Sequence, residues 1–196
     1  EKSRVRFLSN QCLKKIVVHG INVNSLLSMN DPGLQEPIQK ELVFGVLRYF
    51  FFLDSYLSRH LRQDIKDKDM DVKLLLLMGI YEIKFMRTPA YAAIHETVNV
   101  CHGLGKAWAK GFVNAILRKT SSSETKPENI EEDLPVWLSK KLEADFPDHY
   151  QMIKKAFLSK PEMALRINRS KISPEDYKNK LNKAKISFRS SPFEEA

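Results

Sequence analysis

Glycine and cysteine are scarce in this 196-residue chain, with seven of the first and two of the second. So few glycines argue against a many-stranded sandwich or barrel and against a disordered tail. Cys12 and Cys101 lie far apart, and neither belongs to a Cys-x-x-Cys pair or a Pro-Cys turn. They imply no disulfide framework, no zinc site and no nucleophile for covalent catalysis. The histidines offer no His-Glu-x-x-His or His-x-His arrangement, so no metal is expected. Long apolar runs are missing too. Leu42 to Leu57 is interrupted by Arg48 and Asp54, and Val72 to Phe85 by Glu82, so neither reads as a membrane span. No signal peptide opens the chain, which points to a soluble protein of a reducing cytoplasm with no membrane partner. The first residue is Glu1 rather than methionine, as in a portion of something longer.

What is present is positive charge, unevenly placed. The net charge is +8, and residues 1–120 hold 18 Lys and Arg against 11 Asp and Glu. Most of the basic excess therefore lies in the first part, the usual electrostatic footprint of a nucleic-acid binder.

The apolar pattern is helical. Val5, Leu8, Cys12 and Ile16 recur at three- and four-residue spacing with Arg4, Lys14 and Lys15 off the stripe, which predicts an amphipathic helix over 4–19. The Asn- and Ser-rich stretch to Asp31, Pro32 and Gly33 reads as a surface loop. Residues 34–61 are apolar on nearly every face, as a central helix requires. A charged loop over 62–71 leads to a second core helix over 72–85. Thr88 and Pro89 form a helix start. That helix runs to His102 and ends at Gly103 and Gly105. A fifth helix over 106–119 presents Trp108, Phe112, Val113, Ile116 and Leu117 on one side. Residues 121–133 read as a linker between domains spanning 1–120 and 134–196. Two short helices over 135–146 and 147–158 follow. Alternation at Met163, Leu165 and Ile167 predicts a strand, Ser173-Pro174 a helix start, and 186–189 a second strand. The fold class is thus mainly α, a bundle of five or slightly more helices, then a helical linker and the start of an α+β unit.

The candidate functional residues are the cations Arg4, Arg6, Lys14, Lys15, Arg48, Lys106, Lys110, Arg118 and Lys119, suited to phosphate oxygens. Arg48 stands inside an apolar helix and needs a carboxylate or an anion. Gly103-Leu104-Gly105 follows no strand, so it reads as a helix end rather than a phosphate loop, and the chain offers no catalytic residue and no cofactor pocket.

Three segments carry a resemblance. Met86-Arg-Thr-Pro-Ala-Tyr-Ala-Ala-Ile-His-Glu-Thr-Val-Asn99, Lys110-Gly-Phe-Val-Asn-Ala-Ile-Leu-Arg-Lys119 and Glu41-Leu-Val-Phe-Gly-Val-Leu-Arg48 resemble the NusB-like helical domain. Leu134-Pro-Val-Trp-Leu138 and Met163-Ala-Leu-Arg-Ile-Asn168 resemble the segment that follows it in the Sun/RsmB family of 16S rRNA cytosine-C5 methyltransferases. The resemblance implies an RNA-binding region, an RNA-recognition-like subdomain begun over 134–196, and 16S rRNA as partner. It also implies methyl transfer from S-adenosylmethionine by the parent's own C-terminal methyltransferase domain. The family's Pro-Cys motif and cofactor loop have no match here, so no cofactor is assigned to this chain. Pro89, Ala93, Glu96, Asn114 and Arg118 match the signature, the last three as a candidate buried polar network. The alternative is a NusB-type transcription antitermination factor, for which residues 134–196 would have no use.

Overall fold

A computed structural model describes residues 2–123, 134–161 and 163–190. The chain divides into two compact units, residues 1–158 and 159–196. The first contains α1 (Lys2–Val17), α2 (Val23–Ser28), α3 (Pro37–Arg48), α4 (Phe50–Ser58), α5 (Met70–Phe85), α6 (Ala90–Gly103), α7 (Lys110–Ser122), α8 (Val136–Asp145) and α9 (Tyr150–Leu158). The second contains α10 (Pro174–Lys183).

α5 is the axis of the first unit, and α1, α3, α4, α6 and α7 all pack on it. Its sequence explains this position: Leu74, Leu75, Leu76, Leu77 and Ile80 are fully buried on successive faces, which only a helix enclosed on all sides achieves. Gly45 on α3 faces Tyr81 on α5, and Gly79 faces Leu117 on α7. In both places the missing side chain lets a neighbouring helix approach. Ala93 on α6 is likewise fully buried.

The apolar run expected as one helix over 34–61 is two helices, broken at Tyr49, whose ψ of 20° leaves the helical range. No glycine or proline marks the break. Tyr49 instead stacks on Phe85 with ring centroids 4.2 Å apart, and its hydroxyl donates to the Leu158 carbonyl at 3.1 Å. The Asn- and Ser-rich loop also contains a short helix, α2, whose first turn is capped by Asn22 Oδ1 accepting from the Asn24 amide at 2.8 Å. At the start of α6 it is Pro89, rather than Thr88, that holds the cap position. Trp108 leaves the expected apolar stripe: residues 107–109 form a 3-10 turn in which Ala109 is buried and Trp108 is exposed.

The expected linker begins within the last residues of α7, and 124–133 lie outside the described residues. In the second unit, Ser173 Oγ caps α10 by accepting from the Asp176 amide at 3.1 Å. Neither expected strand forms a ladder among the described residues. Met163, Leu165, Ile186 and Phe188 are exposed, so the alternation has no buried face to hold it in register.

Candidate nucleic-acid interface

The nine candidate cations divide into two groups. Arg6, on α1, is buried, and its guanidinium forks onto Glu82 of α5, with Nε 3.0 Å from Oε2 and Nη2 2.5 Å from Oε1. It is committed to the bundle interior rather than to a surface. Lys15 pairs with Asp31 at 2.5 Å, Lys106 with Asp69 at 2.6 Å, and Lys14 lies 3.9 Å from Asp71. The Lys106 ammonium hydrogen-bonds Asp69 and holds that carboxyl below its ordinary range, while Asp69 raises Lys106. Much of the positive charge anticipated around α1 is therefore met by carboxylates. Arg4 is exposed on the first turns of α1. Arg48 is half-buried in the last turn of α3, where a cation suits the helix dipole, and its charge reaches the Tyr81 phenol. Tyr81 in turn donates to Glu41 Oε1 at 2.8 Å.

The second group lies on α7. Lys110, Arg118 and Lys119 are exposed, and none forms an ion pair among the described residues. The buried side of α7, with Val113, Ile116 and Leu117, seats the helix on α5 and α6, so these cations face outward. Arg118 borders a groove of about 320 Å³ between α6 and α7, also lined by Tyr91, His95, Asn99 and Asn114. Ile94 and Val98 supply apolar lining, and no carboxylate is among the lining residues.

The expected buried network of Glu96, Asn114 and Arg118 takes another form. Arg118 Nε donates to Asn114 Oδ1 at 3.2 Å, one turn apart on the exposed side of α7. Glu96 instead accepts from Ser3 Oγ at 2.5 Å and lies 3.7 Å from His95, and the Ser3 bond lowers its carboxyl pKa. α6 turns Glu96 toward α1, whereas Asn114 and Arg118 face the groove. The opposite wall is not among the residues expected from the sequence. Its signal is the run Tyr91, His95, Asn99 at four-residue spacing, an exposed polar and aromatic stripe on an otherwise buried helix.

The glycine pair closes α6. Lys106 N donates to Cys101 O at 2.8 Å and Gly105 N to His102 O at 2.9 Å, with Gly105 at φ +68. This is a helix C-cap, in which glycine takes the left-handed conformation, and it does not fit a nucleotide or S-adenosylmethionine loop. Cys12 and Cys101 are fully buried, and burial with the nearby Asp31 charge pushes the Cys12 thiol up to about 12.

The profile of the NusB family matches residues 18–122, the stretch that contains α2 to α7. The chain belongs to the NusB family. Residues 134–196 match a second profile, the ferredoxin-like domain of Methyltr_RsmF/B-like proteins. This NusB-family chain is 37% identical, over 76% of its length, to the ribosomal RNA small subunit methyltransferase B of Pseudomonas putida. It is 29% identical over 92% of its length to the probable ribosomal RNA small subunit methyltransferase B of Coxiella burnetii. It is 28% identical over 94% of its length to the ribosomal RNA small subunit methyltransferase B of Escherichia coli O157:H7. It spans 36%, 43% and 45% of those relatives, less than half of each. No helix among the described residues is long and apolar enough to cross a membrane.

Proposed function

We propose that this chain is the rRNA-binding N-terminal region of an S-adenosylmethionine-dependent 16S rRNA cytosine-C5 methyltransferase. Its role is to hold small-subunit rRNA by phosphate contacts, so that the methyltransferase domain of the same polypeptide reaches one cytosine. The methyl donor is assigned to that domain, since the described residues offer it no fitting loop, and the working compartment is the cytoplasm. The observation that carries the reading is the outward face of α7, where Lys110, Arg118 and Lys119 are exposed and Arg118 borders a groove lined by no carboxylate. Unpaired cations retain their full attraction for phosphate, whereas in lysines matched to aspartates part of it is already satisfied.

The names of the relatives and the ferredoxin-like match over 134–196 favour this reading over an antitermination factor. Bundle and ferredoxin-like segment, with a boundary between 121 and 133, are the two parts through which the region would join rRNA to the catalytic domain. Fluorescence titration with a small-subunit rRNA hairpin at two salt concentrations tests it. Binding that weakens as salt rises is expected; no binding at low salt, or binding indifferent to salt, contradicts it.

A further inference from the structure

We infer that the groove between α6 and α7 takes a single unstacked RNA nucleotide, its base against Tyr91 and its phosphate on Arg118. The inference rests on the rRNA-binding function proposed for the chain and assigns that contact to one site and one class of ligand. At about 320 Å³ the groove lies at the small end of the range for ligand clefts, the scale of a nucleotide and far below that of a duplex. Its chemistry is that of single-strand recognition, in which a base stacks on an aromatic ring while a cation holds the backbone.

Tyr91 is 79% exposed. Its ring buries almost nothing against the fold, yet it stands one turn before His95 on the same wall, so two flat groups flank the cleft. Ile94 and Val98 between them offer apolar surface to a base face.

The polar groups are complementary to a base edge. Asn114 Oδ1 accepts from Arg118 Nε, which leaves the Asn114 amide N–H2 as a donor on the α7 side. On the α6 side, the Asn99 amide nitrogen lies 3.4 Å from His95 Nδ1, which leaves the Asn99 oxygen as an acceptor. The same Nε–Oδ1 bond orients Arg118, so its remaining guanidinium N–H groups can fork onto a phosphate. No carboxylate lines the groove, and the Glu96 carboxylate 3.7 Å behind His95 is mostly buried, so repulsion of an anionic strand is reduced.

The test uses the full chain and a single-stranded oligonucleotide of small-subunit rRNA sequence with 2-aminopurine at one position in turn. At one position, a fluorescence change on binding reports the seated base. Tyr91→Ala is expected to weaken binding by roughly fivefold to a hundredfold, the range measured when one stacking aromatic is removed. Tyr91→Phe, which keeps the ring, restores it. Asn114→Ala lowers affinity for some bases at the reporting position more than for others. Unchanged helical circular dichroism in these variants of exposed residues assigns the losses to the groove. If the wild type binds but Tyr91→Ala and Asn114→Ala bind equally well, the groove assignment is overturned while the rRNA-binding function stands. If the wild type binds no RNA at low salt, that function fails, and this inference with it.

Discussion

Arg6 and Glu82 are joined as a buried two-point pair, with side chains 4% and 1% exposed, linking α1 to the central helix α5. A charge withdrawn from water is tolerated only with its partner in place, and removing one partner leaves the other uncompensated. Glu82→Ala or Arg6→Ala is expected to destabilise the bundle by about 3–5 kcal/mol. Replacing both residues with methionine recovers most of that loss, because two apolar chains of similar volume need no compensation. Urea denaturation of the two singles and the double decides it; a double as unstable as either single contradicts the pairing.

The same pair shows what the sequence could reveal. Arg6 lies next to Val5 on α1, and nothing local to α1 distinguishes it from the exposed Arg4. The clue was Glu82, one carboxylate inside an apolar helix, since such a group is almost never buried alone. The partner is 76 residues distant and so invisible to periodicity. The stripes of α1 and α7 were legible because burial repeats at the helical period, and α5 because a long run of apolar residues fits only a helix enclosed on all sides. The break at Tyr49 was not, because it is set by tertiary stacking on Phe85 and carries no turn residue. For the site, the α7 cations were legible as charge, but their freedom from carboxylates emerges only when the helices are assembled.

Gly45 packs so closely on Tyr81 that an added Cβ would overlap the tyrosine ring. That ring cannot swing aside freely, being stacked on Phe85 at 5.2 Å and bonded to Glu41. Gly45→Ala at a helix interior would ordinarily raise stability by about 0.5–1 kcal/mol. Here overpacking reverses the sign, with an expected loss of about 1–3 kcal/mol. A melting temperature above that of the wild type would show that the two helices have room to part.

The Lys106 and Asp69 pair predicts an acid limb of stability. The folded-state carboxyl pKa is depressed, so its contribution is present above the unfolded value of about 4 and is lost as pH falls through the folded one. Glu96, lowered by Ser3, acts in the same direction. Lys106 is raised, so its part is present below the unfolded lysine value and lost as pH rises through the folded one. Thermal melts from about pH 6 down to about pH 2, which bracket the carboxylate range, should show a shallower decline for Asp69→Asn than for the wild type. Equal slopes would remove Asp69 from the acid limb.

Both cysteines should be inert in the native state. Cys12 and Cys101 are fully buried, and burial raises both thiols above their ordinary values. A chromogenic disulfide reagent at neutral pH should label a small fraction of the thiol in folded protein and both cysteines in denaturant. Rapid native labelling of either would mean that α1 or α6 opens on the timescale of the assay.

The central claim is that α7, rather than the carboxylate-paired Lys14, Lys15 and Lys106, supplies the charge that grips rRNA. Its most direct test is the salt dependence of affinity for a single-stranded rRNA fragment, compared between two sets of variants. Removing Lys110, Arg118 and Lys119 should lower the slope of log affinity against log salt by roughly 0.7 for each phosphate that is no longer neutralised. Removing Lys15 and Lys106, each already matched to an aspartate, should change it much less. A slope untouched by the α7 substitutions, or one abolished by the Lys15 and Lys106 substitutions instead, would contradict the claim.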